Sequence, residues 1–339
     1  MKRRSMKTVV FLRWPEKCFR AQQADIEYLR SLLPAGSAVT EARSEREFLK
    51  ALPDATHVIV WYFRKEWYAL APKLRLVATP AAGRELVAEP PPGGPAVHFG
   101  HYHGPIIAES VAAFCLARCR GFLFEQPDVW PRRWMGDGRC RELAGTHAVI
   151  LGYGNIGRAI GSKLAALGVE VRGFSHAECD LLRDRRAKGS RLEELRLRLK
   201  EADWLILALP SDTGTDDLVD ARLIKRLSRK CVLVNIGRGN AVDEAALASA
   251  LNSGKLAGAY LDVLKYEPHY RRCFGFDETT EKSSSDFLEG RVKNAVVMPH
   301  SSAFSPQYLR KAFEELYSDG CLSPISGART SSSVPVEKN

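Results

Sequence analysis

No apolar run in the 339-residue chain reaches the roughly 20 residues of a bilayer-spanning helix. That excludes a protein built on transmembrane helices. The opening segment, MKRRSMKTVVFLRWPEK, is basic, but its apolar piece TVVFL is shorter than the h-region of a secretory signal. TVVFL reads instead as a first buried strand, and the expectation is a cytoplasmic protein. Cysteine pairs at C-x-x-C spacing are also missing. The eight cysteines are scattered, and Cys115 and Cys119 stand at helical spacing in an apolar segment. This excludes the common zinc patterns and a disulfide framework, so reduced thiols and no metal site are expected. The net charge is +10, yet no basic patch is interleaved with aromatics, and the clusters at Arg183–Arg186 and Arg191–Lys200 are local. Neither nucleic acid nor membrane is the expected partner. The charge suits small anions better.

What is present is ordinary globular composition, with 45% hydrophobic residues and a mean hydropathy of −0.21. The length suits two domains better than one core. TVVFL, HVIVWYF, LRLVATP and VHFG read as strands, QQADIEYLRSLL and IIAESVAAFCLARCRGFLF as helices, and the Pro/Gly-rich VAEPPPGGPAV as a loop. After an irregular connector the pattern restarts. THAVILG, VEVRGF, ADWLILALP, CVLVNIG, LAGAYLDV and NAVVMP are strands. IGRAIGSKLAALG, RLEELRLRLKEA, DARLIKRLS and DEAALASALNSG are the helices between them. Continuous apolar strands alternating with helices mean parallel sheets covered on both faces, an α/β fold. SPQYLRKAFEELYS reads as a last helix and GARTSSSVPVEKN as a disordered tail.

Gly152, Gly154 and Gly157 form G-x-G-x-x-G directly after THAVIL and at the opening of a helix. In that context the motif marks a dinucleotide site: Gly152 for the tight turn, Gly154 for close approach of a pyrophosphate, Gly157 for helix–strand packing. NAD preference calls for an acid at the end of the next strand. That strand, VEVRGF, ends in Ser175 and His176, and Glu178 and Asp180 come slightly later. A hydroxyl there leaves room for a 2′-phosphate, with His176, Arg158, Arg183 or Arg185 as sources of positive charge. The cofactor is NAD or NADP, with a lean to NADP. The alternative is a loop that curls so that Glu178 or Asp180 meets the ribose.

Beyond the glycine motif come LPSDTGTDDLVD, then VNIGRGNAVDEAALASALNSGKLAGAYLDVLKYEP, then MPHSSA. This order of segments resembles the D-isomer-specific 2-hydroxyacid dehydrogenase family over roughly residues 75 to 315. The resemblance implies two Rossmann-like domains, with the cofactor domain inserted into a flavodoxin-like substrate domain. The substrate domain is then expected at 1–117 and 303–339, and the cofactor domain at 118–302.

Hydride transfer to a 2-keto acid needs a cation for carboxylate and carbonyl, a proton for the developing alkoxide, and a means of holding that proton. Arg238, Glu267 and His300 each follow a strand, in IGRG, KYEP and MPHSS. A guanidinium offers a planar fork to two oxygens. A carboxylate beside an imidazole raises its pKa and fixes its tautomer. The resemblance implies that His300 is acid and base, oriented by Glu267, with Arg238 on the substrate. It also implies that the backbone N–H groups of Ala82 and Gly83 receive the substrate carboxylate. WYFR, which ends the preceding strand, resembles the position where the family places a substrate-selecting side chain, with Tyr62, Phe63 and Arg64 as candidates. Asp262 either lies near the nicotinamide carboxamide or caps its strand end. The expected cofactor set is Tyr153, Gly154, Asn155, Ile156, Gly157, Ser175, His176, Leu209, Pro210, Ile236, Gly237, Arg238, Asp262 and His300. A homodimer through the cofactor domain is the family expectation. The histidines of HYHG, His101 and His103, either face the cleft or belong to a surface loop.

Some features depart from the family. Ala113 stands where a glutamate is usual, the Asp expected shortly after Gly83 is replaced by Arg84 and Glu85, and a polar insertion (DETTEKSSSD) follows Glu267. The last twenty residues also differ from the family's usual ending. The leading reading is an NAD(P)H-dependent reductase of a small anionic 2-keto acid. The alternatives are an NAD(H)-sensing, corepressor-like binding protein and a dehydrogenase of an anion such as phosphite or formate.

Overall fold

The computed structural model describes residues 6–14, 17–123, 140–180, 182, 188–267 and 285–322. Arg183 and Arg185, most of the polar insertion and the tail called disordered lie outside the described residues. The chain divides into two compact units, Met1–Tyr102 with Phe304–Asn339, and His103–Ala303.

The first unit holds strands β1 (Lys7–Phe11), β2 (Ala38–Glu41), β3 (His57–Val60), β4 (Leu76–Thr79) and β5 (Ala96–Phe99). They form a parallel sheet in the order β2-β1-β3-β4-β5, the flavodoxin-like order. Helices α1 (Gln23–Leu32) and α2 (Glu45–Ala51) follow β1 and β2. β3 and β4 are buried along their whole length, as their unbroken apolar runs predict. β2 and α2 were not legible as apolar patterns. β2 is an edge strand with alternating half-exposed residues, and α2 is short and charged, started by Ser44 accepting from Glu47 N–H. Phe48 of α2 fills the core, with ring centroids 5.1 Å from Phe11 and 5.2 Å from Trp67.

The second unit opens with α3 (Gly104–Cys119). Then come β6 (His147–Leu151), α4 (Asn155–Ala166), β7 (Glu170–Phe174), α5 (His176–Asp180), α6 (Ser190–Glu201), β8 (Trp204–Leu207) and α7 (Ala221–Arg226). β9 (Val232–Asn235), α8 (Glu244–Asn252), β10 (Gly258–Leu261), α9 (Ser285–Leu288) and β11 (Ala295–Val297) complete it. Its sheet is parallel, in the order β11-β10-β9-β8-β6-β7. Alternate strand residues feed two cores. Val149, Leu151, Leu205, Leu207 and Leu233 pack with α6, α7 and α8, while Ala148, Ile150, Ile206 and Val234 pack with α3 and α4. Asp220 and Asp243 cap α7 and α8 through Leu223 and Ala246 N–H groups. The remaining helix, α10 (Tyr308–Ser318), belongs to the first unit and packs on α1. No helix among the described residues is long and apolar enough to cross a membrane.

The packing makes α2 a structural dependency of the first unit. Phe48→Ala is expected to cost about 3–5 kcal/mol, the usual range for emptying a buried phenylalanine site. A chemical-denaturant melt of the variant checks it.

Candidate active site

The strand order of the second sheet reverses between β6 and β8, and ligands of such sheets bind at the carboxyl ends beside that point. Both glycine roles expected there have a steric cause. Gly152 sits at φ +91°, and a side chain on it would meet the Ala208 carbonyl oxygen at 2.4 Å. A Cβ on Gly157 would lie 2.3 Å from the Gly152 carbonyl, so helix α4 approaches the turn only with glycine there. Gly154, the residue before α4, has open space around its missing side chain and is exposed. The turn therefore leaves the start of a 12-residue helix accessible, which fits a phosphate-bearing dinucleotide. Asn155 is exposed beside it and Ile156 half-buried. Tyr153 turns its ring toward Gly173 and Gly161, where added side chains would collide with it. Leu209, Ile236 and Gly237 are buried at the ends of β8 and β9, and Pro210 is exposed.

At the end of β7 an acid is present after all. Glu178 folds back so that its Oε2 accepts from Ser175 N–H at 2.6 Å and from Ser175 Oγ at 2.7 Å. Arg191 donates to Glu178 Oε1 at 2.8 Å, and its guanidinium lies 4.8 Å above the Phe174 ring. Burial would raise the Glu178 carboxyl, but the Ser175 and Arg191 hydrogen bonds outweigh it and hold it below its ordinary value. His176 lies 3.1 Å from Asp212 Oδ2. Arg158 is exposed on α4. Arg191 was not singled out from the sequence, because its place depends on how α6 returns toward β7.

Arg238, Glu267 and His300 come together at the carboxyl ends of three adjacent strands, β9, β10 and β11. His300 Nδ1 is 2.9 Å from Glu267 Oε2, while Glu267 Oε1 accepts from Leu264 N–H at 3.1 Å. His300 has φ +53°, a left-handed conformation uncommon for a residue with a side chain. Asp262 holds that turn. Its carbonyl accepts from His300 N–H, and its carboxylate accepts from Ser301 N–H at 2.9 Å and Ser302 N–H at 3.1 Å. Asp262 therefore ties the end of β10 to the segment after β11, the second of the two roles expected for it. Asn235, which the sequence reading passed over, fixes the Arg238 turn by donating to the Arg238 carbonyl and accepting from Gly237 N–H. A buried asparagine two residues before G-R-G is the signal that was there.

The electrostatics of the cluster have opposing parts. Burial pushes the His300 imidazole down and the Glu267 hydrogen bond and charge push it up. The Arg238 charge adds a downward push and Asp262 an upward one, and the net direction is above the ordinary histidine value. An imidazole of this kind, paired with a carboxylate and within the field of a guanidinium, is equipped to bind an anion and exchange a proton with it.

In the first unit, Ala82 is exposed and Gly83 half-buried in the turn after β4. Arg64 is exposed, 3.3 Å from Glu45, with its guanidinium 5.3 Å from the Trp67 ring. Tyr62 donates to Glu45 at 2.9 Å, and burial with that bond pushes its hydroxyl up to about 12. Phe63 is a core residue, 1% exposed, which removes it from the three pocket candidates of WYFR. His101 and Glu315 are bonded to each other, as described below.

The family model for the NAD binding domain of D-isomer specific 2-hydroxyacid dehydrogenases matches residues 112–302. A glycerate dehydrogenase of Methylorubrum extorquens is 28% identical over 255 residues, 72% of this chain and 74% of that protein. A D-lactate dehydrogenase from Treponema pallidum has a similar fold, with TM-score 0.69 at 19% identity, covering 95% of this chain and 99% of that one. So does the NAD-complexed D-isomer specific 2-hydroxyacid dehydrogenase of Lactobacillus delbrueckii, with TM-score 0.68 at 19% identity, over 93% and 96%.

Proposed function

We propose that this chain, which belongs to the D-isomer specific 2-hydroxyacid dehydrogenase family, interconverts a small 2-keto acid and its D-2-hydroxy acid, with His300 as acid and base. Membership makes it an NAD(P)-dependent oxidoreductase. The observation that carries the finer reading is the 2.9 Å His300–Glu267 pair within the field of Arg238. The candidate substrates are glyoxylate, hydroxypyruvate and pyruvate.

When bound, the nicotinamide supplies or accepts the hydride. Arg238 binds the carboxylate and carbonyl oxygens of the keto acid and stabilises negative charge as it grows on the carbonyl oxygen. Glu267 holds Nδ1, so that Nε2 carries the proton delivered to the alkoxide. The raised imidazole pKa keeps His300 protonated to higher pH than an ordinary histidine. Reduction accordingly declines as pH rises through that pKa, and oxidation, which needs the neutral imidazole, gains over the same window. In the first unit the proposal assigns the substrate carboxylate to the backbone at Ala82 and Gly83, and substrate selection to Tyr62 and Arg64. A homodimer and a cytoplasmic location belong to the same proposal. Nothing among the described residues favours the NAD(H)-sensing reading.

For the coenzyme, the Ser175–Glu178–Arg191 unit supports NAD over NADP. A charged carboxylate at the end of β7 suits a ribose diol and repels a 2′-phosphate. It also occupies the nearby cation, Arg191. The lean read from Ser175 alone is replaced by this arrangement.

Two experiments test the proposal. Loss of NADH absorbance is followed with a panel of 2-keto acids. Turnover is expected with at least one of them, and His300→Ala should lower kcat by about 10²–10⁴-fold with NADH binding kept. Full reduction rates in that variant would remove His300 from its role. Separately, Glu178→Gln should shift the NADPH-to-NADH ratio of kcat/KM toward NADPH by about tenfold, equivalent to ~1.4 kcal/mol. An unchanged ratio would mean that Glu178 does not select the coenzyme.

A further inference from the structure

Far from the glycine turn in sequence, the first unit gathers two histidines and two carboxylates. His98 is in β5 and His101 follows it. Glu315 is in the last turn of α10 and Asp319 follows that helix. His98 Nε2 lies 3.1 Å from Asp319 Oδ2 and 3.9 Å from Glu315 Oε1. His101 Nε2 lies 3.4 Å from Glu315 Oε2 and 3.6 Å from Asp319 Oδ2. One ligand atom each from His98, His101 and Asp319 fits within 4.8 Å of the others.

We propose that His98, His101 and Asp319, with Glu315 behind them, form a binding site for one divalent transition-metal ion of the Zn²⁺ class. The spacing carries the argument. Zinc holds nitrogen and oxygen ligands at about 2.0–2.2 Å in a tetrahedron, whose edges are then roughly 3.3–3.6 Å. The separations of His98 Nε2 and His101 Nε2 from the same Asp319 oxygen, 3.1 and 3.6 Å, straddle that edge. Imidazole with carboxylate is a borderline donor set that suits Zn²⁺, Ni²⁺ or Cu²⁺ over Mg²⁺ or Ca²⁺. Glu315 orients the site: both of its oxygens accept from the His101 backbone N–H, at 3.0 and 3.1 Å.

Exposure agrees with the geometry. The His98 and Glu315 side chains are 10% and 8% exposed, whereas those of His101 and Asp319 are 54% and 37% exposed. The cluster thus has a buried side, His98 and Glu315, and an exposed side, His101 and Asp319, from which an ion can approach. The ion would link the end of β5 to the end of α10 within the first unit.

The test is titration of the metal-free, full-length protein with Co²⁺, read by visible spectroscopy and by thermal melting. One ion per chain should bind, with the d–d bands of a tetrahedral nitrogen–oxygen site, no thiolate charge-transfer band, and a rise in melting temperature. His98→Ala, His101→Ala and Asp319→Asn should each weaken binding at least about tenfold. His101 is half-exposed, so its variant keeps the fold even if His98→Ala disturbs β5. The proposal is overturned by absence of binding, by binding that His101→Ala leaves unchanged, or by a thiolate band that assigns the ion to cysteine.

Discussion

The 2.9 Å contact between His300 and Glu267 is the interaction on which the chemistry proposed for this protein depends. It joins residues separated by 33 positions, and it exists only because β10 and β11 are adjacent and end at the same level. The backbone must then turn sharply at His300 to aim the ring, and it does so at φ +53°. Asp262 stabilises that conformation by accepting from two backbone N–H groups of the turn through its carboxylate, Ser301 at one oxygen and Ser302 shared between both. A strained residue held by a buried carboxylate is a common sign of a functional position.

The two ends of the sheet divide the labour. β6, β7 and β8 supply the glycine turn, the Ser175–Glu178–Arg191 unit and the open start of α4. β9, β10 and β11 supply cation, carboxylate and imidazole. Parallel strands deliver all of these to one edge of the sheet, because every strand ends on the same side. Removing the apolar strand interiors would therefore misplace both halves together, although none of those residues touches a ligand.

Much of this was legible in the sequence, for physical reasons that also explain what was not. β8 reads as WLIL because both of its faces are covered, so every residue is apolar. Arg238, Glu267 and His300 stood out because each follows a strand and their order resembles the catalytic set of the family; position alone left each with an ordinary turn or surface reading. β2 escaped because an edge strand alternates, and α2 because a seven-residue helix shows too little periodicity. The fold-back of Glu178 stood in the sequence only as the alternative to the Ser175 reading, because it depends on turn conformation and not on spacing along the chain. His98 and Asp319 are 221 positions apart, so no local motif announced their cluster.

The central claim is that Glu267 holds His300 protonated for transfer. NMR titration of the ring nitrogens of His300, with isotope-labelled histidine, measures this directly in the whole protein. The account predicts a pKa above the ordinary value of about 6.5, with the proton on Nδ1 in the neutral form, and a lower pKa in Glu267→Gln. A His300 pKa below 6.5 in the wild type, or one that Glu267→Gln leaves unchanged, would contradict it.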